Sequence, residues 1–104
     1  MTEAPPASPG TFVATDGGAR WSFDGELTMD TAAISLEASS RLPLPGTGVV
    51  DFTAMTRADS AALAVMIALK RRGIAQGHAI SLSGVPAALS SLAVVYGIDP
   101  LLDA

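Results

Sequence analysis

The sequence contains no cysteine. Disulfides, thiolate metal ligation and thiol catalysis are therefore excluded. Its one histidine is His78, so no pair of histidines can share a zinc ion. Base is scarce: six Lys and Arg against ten Asp and Glu leave a formal net charge of −4. That sign argues against a general nucleic-acid binder. Aromatics are few, at three Phe, one Trp and one Tyr. An exposed base-stacking platform would starve the core of them, so Trp21 and Phe23 are expected inside. Long apolar runs are missing too. The longest, Ala61 to Leu69, has nine residues, against roughly 20 for a helix across a bilayer. The opening MTEAPPASPG has neither the basic start nor the apolar stretch of a signal peptide. Its three prolines predict a disordered tail over residues 1–10. A cytoplasmic protein without membrane insertion is the expectation.

What is present suits one compact domain over residues 11–104: the chain has 104 residues, 49% hydrophobic and 15% charged. Thr11–Ala14 is β-prone, Asp16-Gly17-Gly18 supplies turn residues, and Ala19, Trp21 and Phe23 alternate with polar residues. This pattern predicts a hairpin. Thr28 to Leu42 reads as a helix capped by Thr28 or Asp30, burying Ile34, Ala38 and Leu42 with Ala33 and Leu36 alongside, and stopped by Pro43, Pro45 and Gly46. Val49-Val50-Asp51-Phe52 reads as a buried strand. A second helix is expected from Ser60 to Arg72, with Asp59 as N-cap and Gly73 at the C′ position. Ala79–Leu82 reads as a further strand. A third helix has Pro86 in its first turn and ends at Gly97. The order β-β-α-β-α-β-α predicts an α/β fold, a small mixed sheet with helices packed on it.

The second helix is the unusual element. On a helical wheel Leu63, Val65, Met66, Ile67 and Leu69 gather toward the sheet. The other side carries Ser60, Ala61, Ala64 and Ala68, then Arg71 and Arg72, with no charge for three turns. Alanine here can reflect helix propensity alone. It can equally make a docking face, since small side chains admit close approach and lose little entropy on contact. Arg71 and Arg72 then form a rim, or with Lys70 they simply complement the helix C-terminus. Ser60 at the helix start is a plain first-turn serine or a phosphoacceptor, where a dianion would be tolerated by the free N–H groups yet alter the neutral face.

Little else suggests chemistry. Asp51 is read as ending a strand and Asp59 as capping a helix, because neither has a nucleophile or metal partner in view. His78 is expected at the surface. Gly17-Gly18 and Gly46-Thr47-Gly48 lack the Gly-Lys-Ser/Thr ending of a phosphate loop and are read as turns. No catalytic residue, metal or cofactor is expected.

The stretch Val49-Val50-Asp51-Phe52-Thr53-Ala54-Met55-Thr56-Arg57-Ala58-Asp59-Ser60-Ala61-Ala62-Leu63 resembles the signature of STAS domains, a family named for sulphate transporters and anti-sigma-factor antagonists. Gly25-Glu26-Leu27 and Ser83-Gly84-Val85 are similar to two further family turns. Within the family the likeness is greatest to the stand-alone STAS subunits of Mla phospholipid-transport ABC systems, through the Asp-Gly-Gly hairpin, Thr-Arg-Ala-Asp-Ser and Tyr-Gly-Ile. The resemblance implies the STAS fold and a non-catalytic role binding the transporter's ATPase, which works with its permease in the membrane. It implies that Ser60 lies at that contact. The expected working surface is a loop, Thr56 to Asp59 with Thr56, Arg57 and Asp59, followed by Ser60, Ala61, Ala64, Ala68 and Arg71. Self-association through the same face is a further expectation when no partner is present. The alternative is an anti-sigma-factor antagonist switched by phosphorylation of Ser60. Antagonists typically carry Asp where this chain has Thr28, and Ser-Gly where it has Ala61-Ala62.

Overall fold

The computed structural model describes residues 9–103. Of the tail expected over residues 1–10, all but Pro9 and Gly10 lie outside the described residues. Gly10 is buried, and its N–H donates to the Glu26 carbonyl at 2.9 Å. Strand β1 (Thr11–Thr15) and strand β2 (Arg20–Leu27) form the expected antiparallel hairpin around a 3₁₀ turn at Asp16–Gly18. Helix α1 (Ala32–Ser39), strand β3 (Val49–Asp51), strand β4 (Met55–Ala58), helix α2 (Ser60–Ala75), strand β5 (Ser81–Ser83), helix α3 (Ala87–Val95) and a short helix α4 (Asp99–Asp103) follow. The sheet runs β1-β2-β3-β5 and is mixed, because β1 pairs antiparallel with β2 while β3 pairs parallel with both β2 and β5. This is the predicted small mixed sheet with helices packed on it, with two additions. Strand β4 pairs parallel with the far end of β2, and α4 closes the chain.

The hairpin alternation buries Trp21 and Phe23 as predicted. Phe12, Trp21, Phe23 and Phe52 make one cluster, with ring centroids 4.8–5.9 Å apart in tilted and edge-to-face pairs. Such pairs add about 0.5–1.5 kcal/mol each beyond the area they bury. Helix α2 lays Leu63, Val65, Met66 and Leu69 on this cluster. Ile67, expected among them, is only half-buried.

Helix α1 departs from expectation twice. It starts at Ala32, with Thr31 rather than Thr28 or Asp30 in the cap position, and ends at Ser39. It is also rotated. Ile34 is 58% exposed, and Ala33 and Ala38 are exposed with it. The inner face carries hydroxyls at i, i+4 and i+8: Thr31, Ser35 and Ser39 are all buried. Thr31 Oγ1 donates to the Glu26 carbonyl at 3.1 Å, Ser35 Oγ to Gly10 O at 2.8 Å, and Ser39 Oγ to Leu36 O at 2.6 Å. Hydroxyls bonded to backbone can line a buried seam that an unpaired polar group could not.

Helix α2 runs past its expected end. Gly73 lies within it, buried, where a Cβ would stand 2.5 Å from His78 O and 2.7 Å from Ile80 Cγ1. The glycine lets the returning chain cross the helix. The C′ residue is Gly77, at φ +66° after the Gln76 C-cap, the left-handed conformation that glycine adopts without penalty. Pro86 is the N-cap of α3 rather than a first-turn residue, and Gly97 ends that helix as predicted.

Candidate functional site

The site begins at Asp59. Its backbone is extended (φ −132°) and its carboxylate faces the free N–H groups of α2. Oδ1 accepts the Ala61 N–H at 2.8 Å, the N-cap bond that sequence predicts. Oδ2 accepts the Met29 N–H at 2.9 Å. One carboxylate thus ties the β2–α1 connection to the start of α2. Thr31 Oγ1 braces the same connection by accepting the Thr28 N–H at 3.0 Å.

The approach to Asp59 is a strand and not the expected loop. In β4, Met55 pairs with Gly25, Arg57 with Glu26 and Ala58 with Leu27, with a register shift between Gly25 and Glu26. Thr56 and Arg57 are exposed on this strand. Ladder hydrogen bonds therefore hold the residues that lead into the helix. The sequence signal was weak: four residues give too short an alternation to separate strand from loop.

Along α2, Ser60, Ala64 and Arg71 are exposed, whereas Ala61 and Ala68 are half-buried. The last two share a side of the helix with Arg72. Arg72 is no rim residue. Its guanidinium donates to Ser39 O at 3.0 Å and Leu42 O at 2.6 Å, and it lies 5.7 Å from the centroid of the Trp21 ring. It thereby satisfies the Ser39 carbonyl at the end of α1 and the Leu42 carbonyl in the connection that follows. Lys70 is buried. Thr56, Arg57, Ser60, Ala64 and Arg71 remain as the outward set, around a helix start with no charge before Lys70.

Two contributors escape sequence reading. Met29 is 78% exposed beside Asp59, although it reads as an early residue of a long helix. Ile74 is 76% exposed, one turn beyond Arg71. Its place on the wheel near Ser60 and Arg71 is a usable signal only if the helix extends past Arg72.

The carboxylates and His78 are structurally engaged. Asp51 Oδ1 accepts the Thr53 hydroxyl at 2.6 Å and the Thr53 N–H at 3.1 Å. These bonds, with a smaller contribution from the Arg20 charge, hold the Asp51 carboxyl below the usual carboxylate range. His78 is half-buried rather than at the surface, with Nε2 2.7 Å from Pro45 O. The Gly46–Gly48 segment is a turn bonded to the hairpin, through Gly46 N–H to Gly18 O and Thr47 N–H to Ala19 O. Among the described residues no cluster of three His, Asp or Glu could hold a metal, and no helix is long and apolar enough to cross a membrane.

The arrangement offers a small-residue face around Ser60 and Ala64 at the start of α2. A family model described as "Mlab, STAS domain" matches residues 11–103. No curated protein matches the chain significantly.

Proposed function

This chain belongs to the STAS family, in its MlaB type, and from that premise we propose that it is a non-catalytic subunit that binds and supports the ATPase of a phospholipid-transport ABC system. In that role it works in the cytoplasm, peripheral to the inner membrane through the transporter, and serves outer-membrane lipid asymmetry. The observation that carries the proposal is the face made by Ser60 and Ala64, exposed at the start of a 16-residue helix and flanked by Arg57 and Arg71. A face of this kind lets a partner helix or loop approach closely with little loss of side-chain entropy. The contact residues in this reading are Thr56, Arg57, Asp59, Ser60, Ala61, Ala64, Ala68 and Arg71. Asp59 acts by holding the helix start and Met29 in place, and Ala61 and Ala68 by keeping the α1 side of the face low.

The test is affinity capture of the tagged chain from its native cells, with the captured proteins identified by mass spectrometry. An ABC ATPase with its permease is expected, and it should be lost with Ala64→Glu. Capture of a serine kinase or an anti-sigma factor instead would sink the transport reading. That second reading has one observation in its favour. Ser60 is exposed in the first helical turn, where the helix N-terminus tolerates phosphate. Against it stands Thr28, which is buried and presents a hydroxyl in place of the carboxylate that antagonists carry there.

A further inference from the structure

Charge is unevenly distributed in this molecule. Residues 55–75, β4 through α2, carry four cations against the single carboxylate of Asp59. The rest of the chain carries nine carboxylates against two arginines. Helix α2 itself has three cations and no acid. Arg72 is engaged with α1 and Lys70 is buried, so Arg57 and Arg71 are the exposed cations of this stretch.

Arg71 stands at the edge of an apolar groove. Ile67, Ile74, Ile80 and Leu101 form most of its walls, with Ala79 and the buried Lys70 completing them, around a volume of about 200 Å³. Among the described residues no carboxylate lines it. Ile74 and Leu101 leave 76% and 49% of their surface to solvent. Complementing the helix dipole does not account for Arg71, because that effect is confined to the last turn, which begins at Arg72. Solubility does not account for an exposed isoleucine next to it.

We propose that this groove is a second docking point for the partner that covers Ser60 and Ala64, and that it takes an acidic segment presenting a bulky aliphatic side chain. The proposal rests on the docking reading above. The aliphatic side chain fills the space between Ile67, Ile74, Ile80 and Leu101, and flanking carboxylates meet Arg71. Charge complementarity selects this occupant. The remainder of the chain, with nine carboxylates against two arginines, disfavours such a segment over most of the surface and steers it toward the side that carries Arg57 and Arg71. A second copy is disfavoured because the same groove on its partner would bring a second Arg71 and no carboxylate among its described lining.

The experiment has two arms. In the first, methyl NMR of the full chain at low salt is titrated with the capped peptide Ac-Glu-Leu-Leu-Glu-NH2, with Ac-Lys-Leu-Leu-Lys-NH2, and with octanoate. The acidic peptide is expected to shift the methyls of Ile67, Ile74, Ile80 and Leu101 saturably, and Arg71→Glu to weaken this at least tenfold. Equal response to both peptides, response to octanoate alone, or shifts that depend only on protein concentration would overturn the proposal. In the second arm, the captured ATPase is titrated against the wild-type chain, Ala64→Glu, Ile74→Glu and Arg71→Glu. Loss of binding in all three variants, at least tenfold for Ile74→Glu, supports the groove. If Ala64→Glu loses binding while Ile74→Glu and Arg71→Glu retain it, the groove proposal fails and the docking reading stands. If the wild-type chain does not bind the ATPase, the docking reading itself has failed.

Discussion

Asp59 and Met29 are joined by a hydrogen bond that spans 30 residues of sequence, from the Met29 N–H to the Asp59 carboxylate at 2.9 Å. Because the other carboxylate oxygen caps α2, the side chain fixes two exposed segments relative to each other. Asp59→Ala is expected to lower stability by about 2 kcal/mol, roughly 1 for the cap and 1 for the second bond. Asp59→Asn keeps an acceptor for the cap and is expected to lose less than half of that. Urea unfolding midpoints measure the difference. Equal midpoints for wild type and Asp59→Ala would show that the carboxylate does not hold the two segments.

Arg72 is placed to stabilise the fold rather than a complex. It makes two charge-assisted bonds, to the Ser39 carbonyl at the end of α1 and to the Leu42 carbonyl beyond it, and lies against Trp21. Arg72→Met retains much of the aliphatic packing and removes the bonds, at an expected cost of about 2–4 kcal/mol. Arg72→Lys is expected to recover only part, since an ammonium lacks the planar fork that reaches both carbonyls. Thermal unfolding of the three proteins tests the ranking. A Met variant as stable as wild type would return Arg72 to the role of a surface rim.

The orientation of α1 predicts an inversion of the usual rule for core substitutions. Ile34→Gln alters an exposed position and is expected to change stability by no more than about 0.5 kcal/mol. Ser35→Leu places a larger group in a packed seam and severs the bond to Gly10 O, with an expected loss above about 2 kcal/mol. Chemical denaturation of both variants decides the matter. The reverse order would mean that Ile34 faces the sheet.

The Asp51–Thr53 turn makes a pH prediction. The folded-state carboxyl lies below its ordinary value because Thr53 donates two hydrogen bonds to it. A depressed folded-state pKa contributes stability that is fully present above the unfolded-state pKa of about 4 and lost as pH falls through the folded-state value. Thr53→Ala removes the hydroxyl donor, the largest cause of the shift. Wild type is expected to exceed Thr53→Ala in stability at pH 6, with the gap closing below about pH 4. A gap that is constant with pH would assign the difference to packing instead of the carboxylate.

Much of the architecture is local and was readable from the chain. The hairpin follows from alternation around Trp21 and Phe23, and Gly97 ends α3 where the pattern stops. The scarcity of aromatics argues that Trp21 and Phe23 lie inside, and both do, in one cluster with Phe12 and Phe52, whereas Tyr96 is exposed. The start of α2 was legible because an N-cap acts within two residues, as Asp59 does on Ala61. The end of that helix was not, since Gly73 carries a stop signal yet serves to let His78 and Ile80 pass close by. Local code cannot distinguish a glycine needed for its conformation from one needed for the space a Cβ would fill.

By itself the sequence determined the types of most elements, the content of the aromatic core, the small-residue face of α2 and the lack of thiol or paired-histidine chemistry. Propensity, periodicity and capping act over a few residues, so one dimension is enough to express them. Tertiary structure alone decided which way α1 turns, that β4 is a strand, that Arg72 faces inward, and that Met29 stands beside Asp59 and Ile74 beside Leu101. Each of these depends on a neighbour distant in sequence. Ser35 turns inward because Gly10 O is there to accept its hydroxyl, and Arg72 is drawn in by carbonyls up to 33 residues away. A buried polar group takes the orientation in which its hydrogen bonds are satisfied, and only the packed chain brings those partners within reach.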